Sequence, residues 1–70
     1  MFDLRKVRGA RVESGYNQEE MAKLMGWSAR APYAKRESGL VDFSVQEFAK
    51  FLEITNKQEE VRNFFKFNVH

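Results

Sequence analysis

Cysteine is absent from this sequence, and the only histidine is His70. The first absence excludes a disulfide framework and a thiolate metal site, and together they leave too few ligands for zinc, so no metal or other cofactor is expected. No apolar run approaches the roughly 20 residues of a membrane span. The start, Met1-Phe2-Asp3-Leu4-Arg5-Lys6, lacks the apolar stretch of a secretory signal. The simplest expectation is a cytoplasmic chain with no membrane partner. Catalytic patterns are missing too: there is no Cys/His pair and no glycine-rich phosphate loop. Glu19-Glu20 and Glu59-Glu60 are adjacent carboxylates that point to different helix faces and read as solvated charge. An enzyme is not expected.

What remains is a 70-residue chain, enough for a single domain over 1–70. A chain so short buries only roughly 60% of the surface that its unfolded form exposes. The formal net charge is only +2, but it is unevenly spread. Residues 5–36 hold eight Lys and Arg against three carboxylates, a net of +5, whereas residues 37–70 hold four against six, a net of −2; Asp3 supplies the last −1. A positive half facing a polyanion, with an acidic half turned away, suits a small DNA binder. On charge alone, ordinary solvated surface fits equally.

Helical spacing of Leu4, Val7 and Ala10 or Arg11 predicts a first helix from about Asp3, stopped near Ser14-Gly15. Asn17 with Glu20 three residues on predicts a capped second helix, with Met21, Ala22 and Met25 as its apolar stripe and Gly26 as its stop. Pro32 limits the third. If Ser28 were its cap, Pro32 would have to bond the Ser28 carbonyl with a hydrogen it lacks, so the helix begins near Arg30 or Ala31 and ends near Ser38, before Gly39. Ser44 with Glu47 is a capping box for a fourth helix to about Glu53, with Val45, Phe48 and Leu52 inward. Thr55 or Asn56 is the expected cap of a fifth, carrying Val61, Phe64 and Phe65. The fold class is all-α, a bundle of five short helices.

The run Val7-Arg8-Gly9-Ala10-Arg11-Val12-Glu13-Ser14-Gly15-Tyr16-Asn17-Gln18-Glu19-Glu20-Met21-Ala22 resembles the opening of the Cro and lambda-repressor-like helix-turn-helix family. That family typically runs leucine-arginine, arginine, glycine, threonine-glutamine, leucine-alanine at these spacings; Val7 and Asn17 are mild departures. The resemblance continues through Met25-Gly26, Trp27-Ser28 and Glu37-Ser38-Gly39 to the helix at Ser44, covering roughly residues 4–54. It implies that helices two and three form a helix-turn-helix whose third helix reads the major groove. It also implies that Gln18 binds a phosphate and props the start of the third helix, and that Arg11 and Glu37 form a partly buried ion pair. Two departures bear on the details: one extra residue lies between Gly26 and Glu37, and Arg36 stands where the family usually has a large apolar side chain.

The outer face of the third helix is expected to be Arg30, Ala31, Ala34 and Lys35, with Tyr33 turned to the core. Arginine and lysine suit guanine O6 and N7, and an alanine methyl packs on a thymine methyl. Asn17, Gln18, Ser28 and Arg36 are the expected phosphate contacts, Asn17 and Gln18 doubling as caps. For Arg36 two readings stay open: a stem on Trp27 with the guanidinium on a phosphate, or plain solvation. The loop Leu40-Val41-Asp42-Phe43 has no basic residue, and its apolar members, with Leu24, Phe51, Phe65, Phe67 and Val69, exceed what so small a core absorbs. Some of them are candidates for a homodimer patch, since repressors of this class bind half-sites about 34 Å apart. The leading expectation is a phage or bacterial regulator, most simply a repressor, binding a pseudo-palindromic double-stranded DNA operator as a dimer. Without a second domain to sense a ligand, it would act by occluding a promoter. A protein-interaction module, antitoxin-like or adaptor, using the Phe-rich half is the alternative, and a DNA-binding piece of a longer repressor is a third.

Overall fold

The helix ends are closed locally by two devices that recur along the chain. Asn17 Oδ1 accepts from the Glu20 N–H at 2.7 Å while Glu20 Oε1 accepts from the Asn17 N–H at 2.9 Å; Ser44 and Glu47 repeat the exchange at 3.0 and 2.9 Å. Each box satisfies two backbone donors that a helix start leaves orphaned. At the other ends, the chain turns through a left-handed residue. Trp27 N–H bonds the Ala22 carbonyl around Gly26 (φ +95°), and Leu40 N–H bonds the Lys35 carbonyl around Gly39 (φ +86°), the six-to-one bond of a Schellman turn. Asn56 does the same for the fourth helix at φ +57°.

The computed structural model describes residues 2–66. Its elements are α1 (Leu4–Glu13), α2 (Gln18–Leu24), α3 (Ala31–Glu37), α4 (Val45–Thr55) and a 3₁₀ segment (Gln58–Phe64) broken at Glu60. No strand occurs among the described residues; Phe2 and Phe65 meet in one isolated antiparallel bridge, and Asp3 N–H donates to the Phe64 carbonyl at 2.6 Å. The two ends of the described chain are thereby stitched together. α3 starts at Ala31 with Pro32 in its first turn, where the missing N–H costs nothing.

One core serves all the elements. Val7 and Ala10 of α1, Met21 and Ala22 of α2, Tyr33 of α3, Phe48, Phe51 and Leu52 of α4 and Phe64 are buried, and Phe43 of the α3–α4 connection joins them. The aromatic rings meet in tilted, edge-on and stacked pairs: Phe43 and Phe51 are tilted at 5.7 Å between centroids, Phe48 and Phe64 meet edge-on at 5.7 Å, and Phe48 and Phe51 stack at 6.0 Å.

Three expectations need correction. Val45 is 88% exposed, because the first turn of α4 projects past the core that Phe48, Phe51, Leu52 and Thr55 face. Thr55 and Asn56 do not cap a fifth helix: Thr55 lies inside α4, where its hydroxyl donates to the Phe51 carbonyl at 2.9 Å, and Asn56 ends that helix. Phe43 and Phe51 are core residues, so the surplus apolar surface is instead Leu24, Leu40, Val41 and Val45, with Val12 and Val61. Phe67, Val69 and His70 lie outside the described residues.

Candidate nucleic-acid interface

The side chains that hold α3 in place form one connected polar cluster. Arg11 of α1 donates to both carboxylate oxygens of Glu37, Nε to Oε2 at 2.8 Å and Nη2 to Oε1 at 3.0 Å, and its Nη1 donates to the Tyr16 carbonyl at 2.8 Å. Tyr33 gives its hydroxyl hydrogen to the same carboxylate, and Gln18 Nε2 donates to Glu37 Oε1 at 3.1 Å. The Arg11 and Glu37 side chains are only 11% and 6% exposed. A charge buried this deeply is tolerated because every donor and acceptor is met.

Protonation follows from that arrangement. Burial pushes the Glu37 carboxyl up, but the donors Arg11, Tyr33 and Gln18 outweigh it and hold the group below the ordinary carboxylate range. The hydrogen bond to Glu37 raises Arg11, and burial, aided by the same carboxylate, raises Tyr33. Glu37 is therefore an anion, and Tyr33 a neutral donor, across the physiological range.

Gln18 extends the cluster to the surface. Its Oε1 accepts from Arg30 Nη1 at 2.8 Å, so one side chain ties the residue preceding α3 to the residue ending it. Beyond Gln18 opens a shallow concavity of about 410 Å³ lined by Gln18, Arg30, Ala31, Ala34, Lys35 and Ser38. Arg30, Ala31, Lys35 and Ser38 are exposed and Ala34 is half-buried, whereas Tyr33 and Glu37 point inward. α3 thus has one buried side and one free side, and the free side carries two cations and two methyl groups.

Arg36 is not on that side. It donates through Nε and Nη2 to the two Glu47 oxygens at 2.9 and 3.2 Å and through Nη1 to the Pro32 carbonyl at 2.7 Å, and its guanidinium lies 4.6 Å from the Trp27 ring centre. Neither reading left open by the sequence describes it. It is the guanidinium that meets Trp27, its hydrogen bonds are turned to Glu47 of α4, and Arg36 acts as a clamp between α3 and α4. Arg36 also holds the Glu47 carboxyl low, with help from the Ser44 N–H.

Of the other candidates, Asn17 is exposed and committed to its capping box, and Ser28 is exposed in the bend before α3; neither lines the concavity. Three residues that sequence reasoning passed over adjoin it. Ser38 follows Lys35 by three residues and Ala34 by four, a spacing that puts it on the same face, and Arg5 and Arg8 lie in the neighbouring groove beside Gln18 and Ser38. No helix among the described residues is long and apolar enough to cross a membrane. Compared with family models, curated proteins and solved structures, the chain matches none.

Proposed function

We propose that this chain is a sequence-specific double-stranded-DNA-binding regulator of the Cro and lambda-repressor-like type, in which α2 and α3 act as a helix-turn-helix. The observation that carries the reading is the free side of α3. A seven-residue helix anchored by Tyr33 and Glu37 leaves Arg30, Ala31, Ala34 and Lys35 outward with no covering segment among the described residues. Arg30 and Lys35 supply the donors that suit guanine edges, and the two methyls suit thymine. Gln18 holds Arg30 before any partner arrives, which lowers the ordering cost of binding.

In this reading the protein binds a pseudo-palindromic operator as a dimer and represses by occluding a promoter, with no small-molecule ligand. The exposed Leu40 and Val41 beyond α3, and Val45 at the start of α4, are the apolar surface on which the dimer rests. An interaction module using the Phe-rich half fits less well, because Phe43, Phe48, Phe51 and Phe64 are all inside.

Selection from a random duplex library tests the proposal. The account expects an enriched motif whose log affinity falls steeply with log salt. Lys35→Ala should relax preference at one base position, and Gln18→Ala should weaken binding to all sequences. No enrichment, with affinity that ignores salt, would remove the reading.

A further inference from the structure

Beside the free side of α3 lies a second groove, of about 580 Å³, that shares Gln18 and Ser38 with it. Its remaining walls are Leu4, Arg5, Arg8, Arg11 and Glu37. The last two cancel, since Arg11 spends all three guanidinium nitrogens on Glu37 and the Tyr16 carbonyl. Arg5 and Arg8 remain. Both are exposed; the carboxylate nearest Arg5 is Asp3 at 4.0 Å, and among the described residues no carboxylate lies within ion-pairing distance of Arg8. Leu4 is the one apolar residue of the groove's wall. The unpaired Arg8 fork, with Arg5 held only by the 4.0 Å contact to Asp3, matches an anion with several oxygens.

Its position narrows the source of that anion. The chain beyond α3, Leu40 to Phe43, has no cation and one carboxylate, Asp42, so a cation at this end of α3 has to come from another element. α1 supplies two, Arg5 and Arg8. Leu4 Cδ1 would stand 2.9 Å from a Cβ at Gly39, which sets the start of α1 directly against the end of α3.

We propose that Arg8, assisted by Arg5, holds a phosphodiester of the duplex in this groove while α3 contacts bases next to it. The proposal rests on the DNA-binding reading above, and goes beyond it by giving α1 a contact of its own. Phosphate contacts are independent of base identity, so the two elements should separate cleanly in experiment.

The test is the slope of log affinity against log salt on a selected duplex, measured by fluorescence anisotropy. Abolishing one phosphate interaction makes that slope shallower by roughly 0.9. Arg8→Ala is expected to lower it by about that amount and Arg5→Ala/Arg8→Ala by up to about twice as much. Arg8→Lys should keep most of the slope, and Arg62→Ala, on the 3₁₀ segment, should match the parent. Discrimination against single-base changes should stay as in the parent throughout. If the double variant keeps the parent slope while Lys35→Ala weakens binding, α1 has no such contact although the DNA reading stands. If the parent binds no duplex at low salt, the DNA reading fails and takes this inference with it. A third arm titrates inorganic phosphate alone and follows the Arg8 and Ser38 amides by NMR; phosphate binding there with an unaltered duplex slope would make the groove a free-anion site and overturn the proposal.

Discussion

Removing the Arg11 side chain probes the cluster on which the placement of α3 depends. Arg11→Ala deletes two hydrogen bonds to Glu37 and one to the Tyr16 carbonyl, and leaves a carboxylate whose side chain is 6% exposed with only Tyr33 and Gln18 as donors. Breaking one side of a buried pair costs about 3–5 kcal/mol, whereas an exposed pair contributes about 1 kcal/mol or less. At roughly 0.05–0.15 kcal/mol per residue, a domain of this size has on the order of 4–10 kcal/mol in total. The variant should therefore lose a third or more of its stability, with Tm lower by at least about 12 °C. Urea unfolding at neutral pH, followed by far-ultraviolet circular dichroism, measures the loss. Lys23→Ala, which removes a 3.8 Å surface pair with Glu19, serves as the comparison and should cost no more than about 0.5 kcal/mol. Arg11→Met/Glu37→Gln should recover much of the loss, because no buried charge is left unpaired while an acceptor for Tyr33 remains. An Arg11→Ala protein within about 1 kcal/mol of the parent would refute the reasoning, since it would show that solvent reaches Glu37 freely.

Three further outcomes follow from the same structure. Glu37 and Glu47 both titrate below their ordinary value near 4.5, so the stability they contribute is fully present above that value and is lost as pH falls through their depressed folded values. Unfolding free energy should thus be flat through neutrality and fall in acid, and Glu47→Gln should make the acid limb shallower; a limb identical to the parent's would contradict this. Ser44→Ala should cost about 1 kcal/mol through the missing cap. Glu47→Ala should cost more, because Glu47 closes the capping box and also receives Arg36; equal losses in urea would count against the clamp. Gly26→Ala should cost about 1–2 kcal/mol for its left-handed backbone alone. Gly39→Ala should exceed it, since its Cβ would also displace Leu4, and a smaller effect at Gly39 would show that α1 and α3 do not meet as described.

The helix ends were legible because they are local. Asn17 with Glu20 and Ser44 with Glu47 are spaced by the geometry of the first turn, and Gly26 and Gly39 stand where a left-handed residue is required. Asn56 misled because asparagine suits both an N-cap and a left-handed position, and only the burial of Thr55 decides between them. Val45 misled because three-residue spacing from Phe48 assigns a face but not how far along its axis a helix stays covered. The pairing of Arg11 with Glu37 was open only to the family resemblance, since 26 residues separate them. Arg36 was out of reach for a different reason: its partner Glu47 was already accounted for by the capping box, and nothing in a linear pattern says that one carboxylate serves two elements. Arg5 and Arg8 were visible as charge, yet their nearness to Gln18 and Ser38 exists only once α1 lies against the end of α3.

The most direct measurement of whether the free side of α3 receives DNA is an amide NMR titration of the chain with a selected duplex. The account predicts the largest shift changes at Arg30, Ala31, Ala34, Lys35 and Ser38, smaller ones at Arg5 and Arg8, and near silence at Glu53 and Val61. Changes confined to Leu40, Val41 and Val45, or none at any duplex concentration, would contradict it.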